Sequence, residues 1–197
     1  MTTTPYDGVI WRKGPRVLLR PVEQEDVSHV HRWINDPRIN RFVLSTYPLT
    51  YLAEERWFDE MTKGDDTKIT VAVCTHDGTL MGTMSLRIDL AKQAGTTGTL
   101  FGTAFQGQGF GTEAKMLLLD YAFNWRGLRK VTSKILAING RSQRYAGKCG
   151  HRHVATIPQE HFREGRWIDE EVYVVFREEW IPLWEAYRSA LPEDVIL

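Results

Sequence analysis

The chain has 197 residues, 42% apolar and 25% charged, and its 25 Lys plus Arg balance 25 Asp plus Glu. Zero formal net charge provides no bulk positive field for nucleic acid or an anionic membrane, and no apolar run approaches the ~20 residues that span a bilayer. The length suits a single domain, and Cys74 and Cys149 show neither a CxxC nor a metal-ligand spacing, so two buried, reduced thiols in a cytoplasmic protein and no bound metal are expected.

The start, MTTTPYDG, lacks the basic residues and apolar stretch of a secretion leader. GVIWRKGPRVLLRPV reads as two strands around Gly14-Pro15. A helix follows with Val27, Val30 and Ile34 on one face, and it should stop at Asn35-Asp36-Pro37, since proline disfavours helical geometry in the residue before it. Thr50 is placed to cap a second helix with Glu54 and Glu55 in its first turn, apolar positions Leu52, Trp57, Phe58 and Met61, and Gly64 at its end. KITVAVC and TLMGTMSLRID, joined through Asp77-Gly78, form a hairpin. Residues 90–98 are small and polar and read as a turn or loop, with TGTLFGTA a weak strand after it.

After FQGQGFG, Ala114, Leu117, Leu118, Tyr121, Ala122 and Trp125 recur at helical spacing up to Gly127. KVTSKILAI is an alternating strand, and Asn139 caps a short helix, 140–148, with Gly150 beyond it. HVATIPQEHF and WIDEEVYVVF are strands around the turn Glu164-Gly165-Arg166, with Pro158 at a bulge or edge. Trp180, Leu183, Trp184, Tyr187 and Leu191 make an apolar stripe on a last helix, 181–191, with Pro182 in its first turn. That stripe suits packing on the chain's own core or a homodimer contact. The hairpin-rich order with helices inserted singly predicts an α+β fold with a mixed sheet.

The loop from Gln106 to Gly111 precedes a helix start, where unpaired N–H groups and the helix dipole favour an anion. A Walker loop requires Gly-Lys-Ser/Thr, and Gly111 is followed by Thr112 and Glu113. A dinucleotide fingerprint is literally present at Gly109, Gly111 and Ala114, but the next strand ends Leu136-Ala137-Ile138-Asn139, without the acid that binds ribose. A glycine turn without a ligand and a pyrophosphate loop for an acyl-CoA remain.

Gln106-Gly107-Gln108-Gly109-Phe110-Gly111 resembles the Q/R-x-x-G-x-G/A signature of the GNAT acetyltransferases. Thr112-Glu113-Ala114 with Tyr121-Ala122-Phe123 looks like the branch holding ribosomal-protein N-terminal acetyltransferases and spermidine N-acetyltransferases. Leu19-Arg20-Pro21, Trp33-Ile34-Asn35-Asp36-Pro37, Asn139-Gly140-Arg141-Ser142, Lys148-Cys149-Gly150 and Gly165-Arg166-Trp167-Ile168-Asp169 resemble further motifs of that branch, in order, over residues 16–181. The resemblance implies one GNAT domain, a splayed, mostly antiparallel mixed sheet flanked by helices, and acetyl-CoA lying between the family's fourth and fifth strands.

By the same resemblance, Phe101, Gly102 and Thr103 run beside the pantetheine arm, and the amides of Gln106, Gly107, Gln108, Gly109, Phe110 and Gly111 hold the pyrophosphate. Thr112 adds a hydroxyl, Asn139 contacts the arm from the other side, and Ser142 meets the CoA sulfur. Many members carry a general-acid tyrosine seven positions after the asparagine. That position is Ala146 here, and Tyr145, one residue earlier and turned by ~100°, reads as a packing residue. The family's phenylalanine after Lys-x-Gly is His151, which with His153 would share one strand face as a surface or pocket-edge pair. Glu160 is the candidate general base. Asp36, Glu54 and Glu55 either attract a cationic amine or serve as caps. The activity implied is acetyl transfer to a primary amine, on a protein N-terminus or on a small molecule such as an antibiotic or polyamine. Transfer of a longer acyl group, or acyl-CoA binding without turnover, are the alternatives.

Overall fold

The computed structural model describes residues 6–43, 47–192 and Val195; residues 1–5, which open the stretch scanned for a leader, lie outside them. The strands are β1 Arg12–Lys13, β2 Leu18–Pro21, β3 Lys68–Cys74, β4 Leu80–Asp89, β5 Ala94–Phe101, β6 Lys130–Leu136, β7 Arg152–Arg163 and β8 Arg166–Phe176. They form one sheet in the order β1-β2-β3-β4-β5-β6-β8-β7. Every neighbouring pair is antiparallel except β5 and β6, which run parallel.

Helices cover both faces: α1 Val27–Asn35, α2 Pro37–Asn40, α3 Tyr51–Thr62, α4 Phe110–Asp120, α5 Gly140–Lys148 and α6 Arg177–Ser189. The two-residue period of β3 separates the layers. Val71 and Val73 join a core with Leu117 of α4 and Trp180 of α6, while Ala72 and Cys74 face Trp33 of α1 and Trp57 and Phe58 of α3. Under the second layer, Arg20 makes a buried two-pronged ion pair with Asp26, at 2.6 and 2.8 Å.

Helix ends follow local chemistry. Pro37 ends α1, and Asp36 then accepts the Arg38 N–H at 2.9 Å and starts the single turn of α2, a restart not visible in the sequence pattern. Thr50 accepts from Ala53 N–H at 3.2 Å to cap α3. In the β3–β4 turn, Asp77 accepts from Thr79 N–H at 3.2 Å.

Three expectations are corrected. Residues 94–98 belong to β5 rather than to a loop, because β4 supplies ladder partners along 94–101 and β6 along 94–96, overriding weak local preference. Gly95 fits closely there, since a Cβ would stand 2.7 Å from a Leu86 methyl and 3.0 Å from one of Leu128, and both side chains would have to shift. Pro182 is the sixth residue of α6, not a first-turn residue, because the helix begins at Arg177; Leu191 falls beyond its end. Trp180 and Trp184 of α6 are buried, stacked 5.1 Å apart, and with Tyr187 pack on the chain's own core. Pro158 lies on the edge strand β7, inside a register shift between Ile157 and His161, as its chemistry requires.

Candidate functional site

The parallel ladder between β5 and β6 has three pairs, ending at Thr96 and Thr132. Beyond it β5 stays with β4 as far as Phe101, while β6 stays with β8 as far as Leu136. The strands therefore part, and among the described residues no strand pairs with β5 on that side from Thr97 to Phe101. A cavity of about 400 Å³ occupies the gap. Thr99, Leu100 and Phe101 form one wall, and Asn139, Ser142 and Tyr145 the other. Gln106, Gly107, Gly109, Gly111 and Thr112 of the glycine loop and helix start also line the cavity, as do Ile39, Phe42 and Val43. A second cavity shares Phe42, Gln106, Asn139 and Arg141 and adds Arg38, Thr103, Ile138 and Gly140.

The glycine loop is bare of side chains for a structural reason. Gly109, at φ 87°, turns the chain into α4, a conformation that costs other residues ~1–2 kcal/mol. The Gln106 side chain donates to Phe101 O at 2.7 Å and that of Gln108 to Ala104 O at 2.6 Å, so both brace the loop. The first helical bond runs from Glu113 N–H to Gly109 O, and neither loop nor helix backbone takes up the amides from Gly107 to Thr112. Glu113, buried, accepts the N–H groups of Arg16 (2.7 Å) and Val17 (3.1 Å) and the Arg16 guanidinium (3.0 Å). Arg16 also donates to Gln108 O at 3.1 Å. The residues leading into β2 thereby anchor the loop from outside.

On the other wall, Asn139 Oδ1 accepts Ser142 N–H at 3.1 Å and caps α5. The capped turn puts Ser142 on the cavity. Tyr145 departs from the sequence expectation: its ring packs against the core and also lines the cavity, and its hydroxyl lies 3.3 Å from Thr99 Oγ1 across the gap. Burial raises its pKa well above that of a free phenol.

The predicted residues do not all converge. Phe101, Gln106, Gly107, Gly109, Gly111, Thr112, Asn139 and Ser142 line the main cavity, and Thr103 the second. Gly102 lies under the Trp33 ring, the Gln108 side chain turns to Ala104, and Phe110 packs on the core. Glu160, the candidate base, is exposed in the irregular part of β7 and lines neither cavity. The bulge turns its neighbour His161 inward instead, onto buried Glu170 at 3.1 Å, with Lys134 on the other carboxylate oxygen at 2.7 Å. Burial pushes the Glu170 carboxyl up, but the bonds from Lys134 and His161 outweigh it and hold it below the usual value. This link across three strands was invisible to sequence reading, because the bulge sets the register.

Asp36 pairs with Arg38 at 2.7 Å, and Glu54 is buried on α3 with its pKa raised by desolvation. Neither they nor Glu55 line a cavity. Burial pushes the Cys149 thiol up to about 12, which leaves it inert as a nucleophile. His151 and His153 are not a pair: His151 is buried ahead of β7, whereas His153 is exposed and bonds Glu171 at 2.5 Å.

A domain model described as an acetyltransferase (GNAT) domain matches residues 16–152. An uncharacterized N-acetyltransferase of Bacillus subtilis (strain 168) is 23% identical over 167 residues, covering 84% of this chain and 96% of that protein. Spermidine N(1)-acetyltransferase of Escherichia coli (strain K12) is 22% identical over 166 residues, covering 84% and 88%. Among solved structures, spermidine N-acetyltransferase from Vibrio cholerae in complex with CoA and spermine superposes with a TM-score of 0.78 at 19% identity, over 84% of this chain and 98% of that one. A GNAT-family acetyltransferase from Bacillus anthracis gives 0.75 at 20% identity, over 85% and 98%.

Proposed function

The chain belongs to the GNAT family of acetyltransferases, and on that premise we propose that it moves an acetyl group from acetyl-CoA to the α-amine of a peptide or a similar monoamine by direct attack. The observation that carries the co-substrate half of this reading is the parting of β5 and β6 beside a helix start with untaken amides. The pantetheine arm lies in the gap against the free edge of β5, and the amides from Gly107 to Thr112 take the pyrophosphate with help from the helix dipole. Arg141, Arg144 and Lys148 of α5 line the same cavity and oppose its negative charge.

The thioester carbon then sits between the β5 edge and the face of α5 that carries Ser142 and Tyr145. A β5 N–H polarises the carbonyl oxygen and holds the charge of the tetrahedral intermediate. The Ser142 hydroxyl and the Tyr145 phenol are the protic groups nearest the departing sulfur.

The acceptor half rests on charge. The lining of the two cavities contains no carboxylate among the described residues; its charged members are Arg38, Arg141, Arg144 and Lys148, and it is apolar at Ile39, Phe42 and Val43. A polyamine would bring several ammonium groups to a site without counter-charge. An α-amine, with a pKa of ~8 against ~10.4 for an alkyl ammonium, is neutral in about a tenth of its molecules at pH 7, a share some hundreds of times larger, and needs less help from a base. Thiol release from acetyl-CoA with peptides, spermidine and an amine antibiotic tests both halves. Turnover with peptides above the other two is expected. Preference for spermidine would refute the acceptor assignment, and tight CoA binding with no thiol release for any amine would refute catalysis.

A further inference from the structure

Lys115 is out of keeping with its helix. It is 1% exposed, on a stretch of α4 whose neighbours Ala114, Met116 and Leu117 are all buried. Its ammonium sits in the crotch of the splayed strands. Nζ donates to Thr97 Oγ1 on β5 and to Ser133 Oγ on β6, the latter at 3.2 Å. These two hydroxyls are 3.0 Å apart and belong to the residues directly after the last ladder pair. Nζ also lies 5.5 Å from the centroid of the ring of Tyr145, a cavity-lining residue whose hydroxyl is 3.3 Å from Thr99 Oγ1.

Among the described residues no carboxylate bonds this ammonium. The titratable groups that face it are Tyr145 of α5 and, just after that helix, Cys149 and His151; burial leaves all three uncharged at neutral pH. Burying an ammonium without a counter-ion is unfavourable, and a well-packed apolar side chain would serve the core better. Desolvation lowers the Lys115 pKa to about 8, so the group stays mostly charged at neutral pH. A cation kept this way complements a negative charge that appears only during turnover.

Given the acetyl-transfer reading, on which this inference rests, that charge is the thiolate of departing CoA. We propose that Lys115 is a positioning residue that acts through Tyr145, its cation against the ring favouring loss of the phenol proton to the leaving sulfur. In balance, the amine nitrogen forms the new N–C bond, the C–S bond breaks with its electron pair on sulfur, and the sulfur takes the Tyr145 proton. The phenolate, held beside Lys115, regains a proton from the acetylated nitrogen by way of solvent. The products are an amide and free CoA thiol.

The test combines Lys115→Met, Tyr145→Phe and the double variant. Calorimetry reads acetyl-CoA binding, a thermal melt reads folding, and thiol release reads kcat from pH 6.5 to 9.5. Lys115→Met should bind acetyl-CoA within about 3-fold of the parent, melt no lower, and lose at least ~10-fold in kcat, a part of the roughly 10²–10⁴-fold that a positioned proton donor contributes. The parent-to-variant kcat ratio should be flat below about pH 8 and shrink above it as Lys115 deprotonates. In the Tyr145→Phe background the same change should have little further effect. An unchanged kcat, fully multiplicative losses, or a lower melting point with lost CoA binding would each overturn the proposal, the last by making Lys115 structural. If the parent itself releases no thiol with any amine, it is the acetyl-transfer reading that fails.

Discussion

Replacing His151 with leucine tests how far one buried imidazole weakens this fold. The side chain is 4% exposed, and neither ring nitrogen has a hydrogen-bond partner among the described residues. Burial, assisted by the Lys115 charge, lowers its pKa to about 2, against a weak upward pull from the Cys149 and Ala146 backbone. The folded ring is neutral, whereas the unfolded chain protonates near its ordinary value of 6.5. Below that pH the unfolded state binds the extra proton, so stability is lost as the pH falls from 6.5 toward 2. The slope approaches ~1.4 kcal/mol per pH unit, and moving from pH 7 to pH 5 removes about 2 kcal/mol through this group alone. Leucine has a similar volume and no buried nitrogen. His151→Leu should therefore be about 1–2 kcal/mol more stable at pH 7, and the gap should widen by about 2 kcal/mol at pH 5. Urea unfolding of both chains at the two pH values, followed by tryptophan fluorescence, measures it directly. Equal pH dependence in parent and variant would show that His151 does not carry the effect, and a less stable variant at pH 5 would refute the reasoning.

Gly109→Ala forces a side chain onto φ 87° with its Cβ 3.1 Å from Arg16; acetyl-CoA affinity should fall by at least ~10-fold in calorimetry, about 1.4 kcal/mol. Gly127→Ala, at φ 61° in open space, carries similar backbone strain and should leave that affinity unchanged. Asp26→Asn leaves the Arg20 guanidinium buried beside a neutral amide, and urea unfolding should show a loss of about 3–5 kcal/mol; an unchanged midpoint would mean that the pair contributes little. Glu160→Gln should keep kcat within about 2-fold across the pH range, because the carboxylate is exposed and outside both cavities; a ten-fold drop would restore Glu160 as the base.

Features decided within four residues were legible from the sequence alone. Thr50 and Asn139 cap their helices, Gly109 opens α4, and the Asp77-Gly78 turn closes its hairpin, because each depends on a side chain or a φ angle meeting nearby backbone. The two-residue alternation of β3 likewise separates the core layers without knowledge of neighbours. Other features needed contacts that close only over long stretches of chain. Residues 94–98 are extended because β4 and β6 lie alongside them. The bulge in β7 turns His161 rather than Glu160 inward, since a one-residue slip exchanges the faces of a strand. Tyr145 reaches the cavity despite its offset from the family position, because the gap is bounded by Thr99, 46 residues away. Nothing in the helical pattern from Ala114 to Trp125 singles out Lys115. Its burial follows from hydroxyls on two strands that meet only at the splay, so the same parting of β5 and β6 that opens the cavity also places the cation beneath it.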